Sequence, residues 1–252
     1  MGTDRVIRLA DLGRLFGVGI GPGDTELLTI KAVNVLKSVD IIFSPRSAPK
    51  KESIARRIVE PVLNGKNKFK ELVFPMTKDK KELEKHWSEA ADEVAKALSE
   101  GKSGAFITLG DPFFYSTYIY LYRKLKEEHP EIEIVTLPGV SSPFAAAAAA
   151  GIPMAVGDEK VAILPLPEVI GEIWHYLETF DTVIILKVGE RLRAFVKVLT
   201  GFGLADHAVL VQKASHEADE KVIMGLSKLN DEALDNAGYL STVIVKRDVE
   251  FA

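Results

Sequence analysis

Short runs of consecutive apolar residues alternate along the chain with longer segments whose apolar residues recur every three or four positions. The runs predict buried β-strands and the periodic segments predict amphipathic α-helices, because a strand covered on both faces is apolar at successive positions. Strand and helix alternate up to residue 137, which is typical of a parallel sheet with helices on both faces. The predicted strands begin near Leu15, Asp40, Phe69, Ala105 and Ile132.

The pattern changes after Pro138-Gly139. An alanine-rich helix over Phe144–Ala150 is followed by strands with helices between only some of them, which predicts a mixed sheet. These strands are predicted at Val161–Leu164, Thr182–Val188, Ala208–Val211, Val222–Leu226 and Ser241–Lys246. We therefore predict an α/β fold of two domains, an N-terminal parallel sheet and a C-terminal mixed sheet. Their expected bounds are residues 15–138 and 139–252, after a polar N-terminal extension over residues 1–14.

Composition narrows the functional classes. A hydrophobic content of 47% and a charged content of 27% are ordinary for a soluble globular protein, and a net charge of −4 gives no electrostatic reason to expect nucleic acid. No apolar stretch approaches the roughly 20 residues that span a bilayer, so no membrane segment is predicted. The absence of cysteine excludes disulfides and thiolate chemistry, and with no recognisable signal peptide it favours a cytoplasmic protein. The five histidines are scattered without ligand spacing, so we expect no metal site.

The most informative turn is Gly110-Asp111-Pro112, which directly follows the apolar run Ala105-Phe106-Ile107. Glycine tolerates a positive φ and proline suits the first position of a helix, so the turn predicts a strand that passes into a helix. One interpretation of Asp111 is an ordinary helix N-cap. The other is a ligand-binding carboxylate, because open α/β sheets bind ligands at the carboxyl ends of their strands.

Two further turns favour the second interpretation. The glycine-rich turn Gly17–Asp24 follows the first strand, but it matches neither the dinucleotide fingerprint nor the phosphate-binding P-loop. The turn Pro138–Ser142 follows the fifth strand and carries two hydroxyls. Turns after strands one, four and five of one parallel sheet are expected along the same edge, and their coincidence predicts a ligand-binding cleft.

At this point the motifs resemble a known family. The segments that carry the resemblance are Leu15–Thr29, Phe74–Asp79, Leu109–Tyr118, Pro138–Ser142, Gly151–Pro153 and Val156–Glu159, together with Trp87. They are similar to the tetrapyrrole methylases, the class III S-adenosylmethionine-dependent methyltransferases. Within that family the chain looks like the enzymes that methylate C20 of precorrin-2 or cobalt-factor II in vitamin B12 synthesis.

The resemblance implies a homodimer of two-domain subunits that binds S-adenosylmethionine in the cleft between the domains and releases S-adenosyl-L-homocysteine. It places ten positions around the cofactor: Pro22, Leu109, Gly110, Asp111, Ser116, Thr117, Ser141, Ser142, Val188 and Ala214. Relatives often carry glycine at the position of Ala214, where alanine keeps the site small.

The implied reaction needs a group that accepts the proton lost from C20. Asp111 is the first candidate and Lys187 the second, while Tyr118 is expected to orient the macrocycle. The substrate carries several carboxylates, for which Arg46, Lys50 and Lys51 are the expected partners. Two alternatives remain open: a relative that methylates another position or substrate, and a module that binds a nucleotide or tetrapyrrole without reaction.

Overall fold

The structure is a computed structural model that describes residues 13–47, 53–63, 65, 68–99, 101–216, 219–235, 237–238 and 240–249. The chain divides into two compact units between Ser141 and Ser142. No helix among the described residues combines the length and the apolar content needed to cross a membrane.

The first unit contains a fully parallel sheet, as the strand–helix alternation predicts. Its strands are β1 (Leu15–Gly19), β2 (Ile41–Arg46), β3 (Lys68–Val73), β4 (Gly104–Thr108) and β5 (Ile134–Leu137). They lie in the order β3-β2-β4-β1-β5, and every neighbouring pair is parallel. The first strand of the chain is therefore an inner strand, flanked by β4 and β5.

Helices cover both faces of this sheet because the side chains of a strand point alternately to its two faces. Phe106 packs with α3 (Lys80–Ser99) and α4 (Tyr118–Glu128), whereas the next residue, Ile107, packs with α1 (Ile30–Ser38) and α2 (Ile54–Val59). α1 begins later than its periodicity predicts. Thr29 caps it by accepting a hydrogen bond from the Ala32 amide at 3.1 Å, and a separate 3₁₀ turn over Thr25–Leu27 precedes it.

The second unit contains a mixed sheet, as predicted. Its elements are α5 (Ser142–Ala150), β6 (Val161–Pro165), α6 (Ile173–Thr179), β7 (Thr182–Leu186), α7 (Leu192–Gly201), β8 (Ala208–Gln212), β9 (Lys221–Met224), α8 (Asp231–Asp235) and β10 (Ser241–Lys246). The strand order is β6-β7-β10-β8-β9, in which only β6 and β7 pair in parallel. β7 and β8 both pair antiparallel with β10, so these two strands end at the same edge of the sheet.

An ion pair with a buried lysine and a partly exposed glutamate ties β10 to the loop that follows α5. Lys246 is only 4% exposed, and its Nζ donates hydrogen bonds to Glu159 Oε2 at 2.7 Å and to the Pro153 carbonyl at 3.1 Å. The bond from Lys246 lowers the pKa of Glu159 below its ordinary value of 4.5. A lowered carboxyl pKa stabilises the fold at higher pH, and that contribution is lost as the pH falls through the folded-state pKa.

Replacing Glu159 by glutamine should therefore remove part of the loss of stability in acid. We expect the free energy of unfolding of the wild type to fall more steeply below pH 4.5 than that of Glu159→Gln, while the variant is less stable at pH 7. Urea unfolding at a series of pH values measures both effects. The same change at exposed Glu172 serves as the control and should leave the pH dependence of stability as in the wild type. If stability fell with pH at the same slope in the wild type and in Glu159→Gln, the assignment would be contradicted.

Candidate functional site

The turns after β1, β4 and β5 lie side by side at one edge of the first unit's sheet. Gly19 pairs with Thr108 of β4, and Val18 pairs with Leu137 of β5, so the three strands end at matching register. A backbone bond from the Gly110 amide to the Gly21 carbonyl, 2.8 Å long, joins the first two turns directly. The structure thus brings together the three turns that sequence reasoning assigned to one edge.

Three glycines allow these turns to touch through their backbones. A Cβ atom on Gly139 would lie 2.3 Å from the Gly110 carbonyl oxygen and 2.9 Å from Gly19 Cα. A Cβ on Gly19 would lie 2.7 Å from the same carbonyl oxygen. Such distances are far below van der Waals contact, so no larger residue fits at Gly19 or Gly139 unless the turns separate. We refer to Gly19, Gly110 and Gly139 as the glycine junction.

The carboxylate of Asp111 bridges two of the turns. Its Oδ1 accepts a hydrogen bond from the Phe113 amide at 2.9 Å, and its Oδ2 accepts one from the Gly139 amide at 3.2 Å. One oxygen therefore shapes the turn in which Asp111 lies, and the other holds the turn after β5. Gly110 precedes it with φ of 64°, a conformation that glycine adopts without strain.

The N-cap interpretation of Asp111 is wrong, because α4 begins only at Tyr118. Residues 112–117 form a compact turn between Asp111 and the helix. Ser116 is buried there and donates its hydroxyl to the Pro112 carbonyl, while Thr117 precedes the first residue of α4. Pro112 accordingly lies in a turn and not at the first position of a helix.

Tyr118 lies in the core of the first unit. Its side chain is fully buried, its hydroxyl is 2.7 Å from Thr136 Oγ1, and burial raises its pKa to about 12. The ring occupies the space beside Gly17, where a Cβ would be 2.1 Å from Tyr118 Cζ. A ring with no exposed surface offers a macrocycle nothing to contact, so we assign Tyr118 to packing.

Removal of the Tyr118 hydroxyl tests this assignment. Tyr118→Phe keeps the ring and breaks the bond to Thr136, so we expect the free energy of unfolding to fall by about 1 kcal/mol. Thr136→Val should cost a similar amount. The double variant should cost less than the sum of the two, because neither partner is then left buried and unsatisfied. Urea unfolding of the four proteins measures the coupling, and strictly additive losses would contradict the bond.

The remaining cofactor candidates of the first unit lie in or beside the joined turns. Pro22 is buried in the turn after β1, and Leu109, which is partly buried, follows β4. Ser141 follows the junction glycine of the third turn, and its Cα and Oγ would each lie 3.8 Å from a Cβ on Gly110. Ser142, the first residue of α5, opens the second unit and is partly buried.

In the second unit, the candidates cluster where β7 and β8 end. Lys187 is exposed and has φ of 58°, and Val188 after it is fully buried. Ala214 is buried between Lys213 and Ser215, which have φ of 49° and 64°. Positive φ values are uncommon outside glycine and gather at functional sites, which favours this edge as a site.

Sequence reasoning missed one further residue at this edge. Ser241 opens β10 opposite Gln212, the last residue of β8. Its hydroxyl is buried and has no hydrogen-bond partner among the described residues, so a bound water or a ligand would complete its hydrogen bonding. The signal in the sequence is weak, since a serine at the start of an apolar strand is common.

Of the three basic residues predicted to bind substrate carboxylates, Arg46 is among the described residues. Arg46 ends β2 and forms an ion pair with Glu71 of the neighbouring strand, and each side chain is about a quarter exposed. Part of its charge is therefore already compensated. Lys50 and Lys51 lie outside the described residues.

Among the described residues, three side chains of types that can bind a metal ion lie close together at the surface between α3 and α4. Ligand atoms of Asp92, Glu128 and His129 lie within 4.8 Å of one another. Existing partners hold them: His129 Nε2 is 3.0 Å from Asp92 Oδ1, and Lys124 Nζ is 3.3 Å from Glu128 Oε1. The group reads as a polar contact between two helices.

The sequence profile of the Tetrapyrrole (Corrin/Porphyrin) Methylases matches residues 14–229. The chain is 44% identical over 236 residues to a probable cobalt-precorrin-2 C(20)-methyltransferase of Methanocaldococcus jannaschii, a match that covers 93% of this chain and 96% of that protein. It is 32% identical over 241 residues to the cobalt-precorrin-2 C(20)-methyltransferase of Salmonella typhimurium, with 95% and 99% covered.

Solved structures show the same fold. A cobalt precorrin-4 methyltransferase superposes with a TM-score of 0.73 at 21% identity, covering 96% of this chain and 98% of that one. The uroporphyrin-III C-methyltransferase of Thermus thermophilus, complexed with S-adenosylhomocysteine, superposes with a TM-score of 0.64 at 19% identity, with 93% and 98% covered.

Proposed function

Because this chain belongs to the tetrapyrrole methylase family, we propose that it is an S-adenosylmethionine-dependent methyltransferase that methylates C20 of cobalt-factor II or precorrin-2 in cobalamin biosynthesis. The observation that carries the proposal is the 44% identity to a probable cobalt-precorrin-2 C(20)-methyltransferase over nearly the whole of both chains. Both relatives named above are named for cobalt-precorrin-2, which supports a substrate at the precorrin-2 stage and includes the cobalt-containing form among the candidates.

The residues of the three joined turns fit this cofactor. The three turns, over residues 19–24, 109–112 and 138–142, contain no lysine or arginine. The negative charge of a pyrophosphate favours nearby basic side chains, whereas a positively charged sulfonium favours nearby carboxylates. Asp24 and Asp111 supply carboxylates, and the serines of the third turn supply hydroxyls.

The cofactor supplies a methyl group already activated by its positive sulfur. The protein's task is to hold the reacting atoms in line, and such positioning can contribute about 7–11 kcal/mol. The turn residues Pro22, Leu109, Gly110, Asp111, Ser141 and Ser142 hold the cofactor, with Ser116 and Thr117 supporting the second turn. For the second unit, the resemblance adds Val188 and Ala214, and the buried hydroxyl of Ser241 supports extending the set to that residue.

Asp111 and Lys187 are the two candidates for the base that takes the proton from C20. Both oxygens of Asp111 already accept backbone hydrogen bonds, which favours a positioning role for this residue. Lys187 is exposed and held in a left-handed conformation at the end of β7. Arg46, Lys50 and Lys51 remain the proposed partners for the substrate carboxylates. At Arg46, a substrate carboxylate would compete with Glu71, which already forms an ion pair with it.

A cytoplasmic homodimer is part of the proposal. The family resemblance supports the dimer, and a chain without cysteine forms no disulfide that would need an oxidising compartment. Sedimentation of the purified protein measures its oligomeric state.

Incubation with S-adenosylmethionine and either precorrin-2 or cobalt-factor II tests the function. We expect a product heavier by one CH2 unit in mass spectrometry, with NMR placing the new methyl group on C20. Methylation at a different carbon would assign the protein to another member of the family. Tight binding of S-adenosylhomocysteine and the macrocycle without any methyl transfer would make it a binding module.

A further inference from the structure

The turn after β1, which carries the proposed cofactor contact Pro22, is held at both ends. At its start, the Gly21 carbonyl accepts a hydrogen bond of 2.8 Å from the Gly110 amide. At its end, Thr25 donates its hydroxyl to the Ile58 carbonyl of α2, and the two oxygens are 2.8 Å apart. Pro22 therefore lies between two hydrogen bonds that reach distant parts of the chain.

The bond from Thr25 uses a group that the end of a helix leaves available. The last four carbonyl groups of an α-helix have no partner within the helix, and Ile58 is the residue before the last in α2. Pro61, in the 3₁₀ turn that follows, has no N–H with which to extend the helical hydrogen bonding. The Thr25 hydroxyl thus supplies a donor where α2 stops, although the two residues are 33 positions apart.

A hydrogen bond positions a turn only if its acceptor is itself fixed, and α2 is fixed to the sheet of the first unit. Three of its six side chains are buried in the core on that face of the sheet. Ser53, which caps α2, shares a buried hydrogen bond of 2.6 Å with Ser44 of β2. The Arg56 guanidinium lies over the Phe69 ring of β3, 4.6 Å from its centroid. The helix therefore gives Thr25 a rigid anchor.

We infer that Thr25 is a positioning residue for the cofactor, because its bond to α2 keeps the turn after β1 in the conformation that binds S-adenosylmethionine. The inference rests on the proposed function, since it takes this turn as part of the cofactor site. Loss of the bond releases one end of the turn, and a site that is correctly shaped for only a fraction of the time binds its ligand more weakly by that fraction.

Thr25→Val in the full-length protein tests the inference, because valine keeps the branched shape and removes the hydroxyl. We expect calorimetry to show S-adenosylhomocysteine bound about fivefold more weakly, which is the effect of losing one hydrogen bond of typical strength. The KM for S-adenosylmethionine should rise by a similar factor at unchanged kcat, because Thr25 acts on the turn and not on the reacting atoms. Thr25→Ala should show the same loss, whereas Thr25→Ser keeps the hydroxyl and should bind within about twofold of the wild type.

The matched control is Thr29→Val, four residues further along the same segment. The Thr29 hydroxyl also accepts one hydrogen bond, but that bond is local, from the Ala32 amide in the first turn of α1. Its loss should lower the free energy of unfolding in urea, as the loss of a helix cap does, and leave the affinity for S-adenosylhomocysteine as in the wild type.

An affinity of Thr25→Val for S-adenosylhomocysteine within about twofold of the wild type would overturn the inference. So would an equal loss of affinity in Thr29→Val or in Thr25→Ser, because neither of these variants removes the bond to Ile58. In each case C20 methylation by the wild type would leave the proposed function standing. A wild type that binds no S-adenosylhomocysteine would contradict the proposed function and the inference with it.

Discussion

Asp111→Ala is expected to lower kcat/KM for C20 methylation about 100-fold, because two backbone amides lose a charged acceptor. The bond to the Gly139 amide holds the turn after β5 against the turn that carries Asp111, so its loss should loosen the three joined turns that we propose to bind the cofactor. We therefore expect most of the effect to appear as weaker binding of S-adenosylhomocysteine. Calorimetry and steady-state kinetics on the same preparations measure the two contributions separately.

The alternative role of Asp111 as the base makes a different prediction. A base variant would keep its affinity for S-adenosylhomocysteine, lose kcat, and change the pH dependence of kcat. Asp111→Asn sharpens the distinction. The asparagine side chain keeps one acceptor oxygen, but its NH2 group faces one of the two backbone N–H donors. Near-normal S-adenosylhomocysteine affinity with a kcat close to zero in both variants would replace the positioning role with the catalytic one.

Asp40→Ala is the matched control for Asp111→Ala. Asp40 Oδ2 accepts hydrogen bonds from the Ser103 amide at 2.8 Å and from the Ser103 hydroxyl at 3.0 Å, and these bonds lower its pKa. It directly precedes β2, so it lies at the opposite edge of the same sheet. Its loss should reduce stability without reducing cofactor affinity.

Gly139→Ala is expected to have the largest effect on the first unit. The new methyl group would lie 2.3 Å from a backbone oxygen and within 3 Å of two backbone carbons of Gly19. Backbone atoms of a sheet cannot rotate away as side chains do, so the turns must separate. We expect the free energy of unfolding to fall by about 1–3 kcal/mol, since overpacking costs that much. S-adenosylhomocysteine binding should be lost.

Urea unfolding and calorimetry measure the effects of Gly139→Ala. Gly171→Ala is the control, since a Cβ at Gly171 meets nothing within 4 Å. A Gly139→Ala protein with wild-type stability and wild-type S-adenosylhomocysteine affinity would show that the turns are not packed as described.

The positions of the strands along the chain could be predicted because they depend on the local pattern of apolar and polar residues. The runs at β1, β4 and β5 are short and mostly apolar, and each is followed by glycine or proline within a few residues. Parallel strands end at a common edge, so the convergence of their turns followed from the pattern alone.

The details of the site could not be predicted, because they depend on contacts between distant residues. The bond from the Gly139 amide to Asp111 joins positions 28 residues apart, and no local rule indicates it. Gly17 and Gly19 appeared as one glycine motif, yet Gly17 makes room for Tyr118 and Gly19 for Gly139. The start of α4 was misplaced for the same reason, since Asp111 and Ser116 satisfy turn groups that a helix would otherwise use.

The position of β1 inside its sheet bears on how the protein folds during synthesis. β1 is the first strand of the sheet to be made, but its neighbours are β4 and β5, which follow after β2 and β3. Pairings between such distant segments are slow to form, so β1 must wait for most of its unit to be translated. The glycine junction can close only after β5 arrives. Affinity for the cofactor should therefore emerge late and abruptly, which makes it a sensitive reporter of complete assembly.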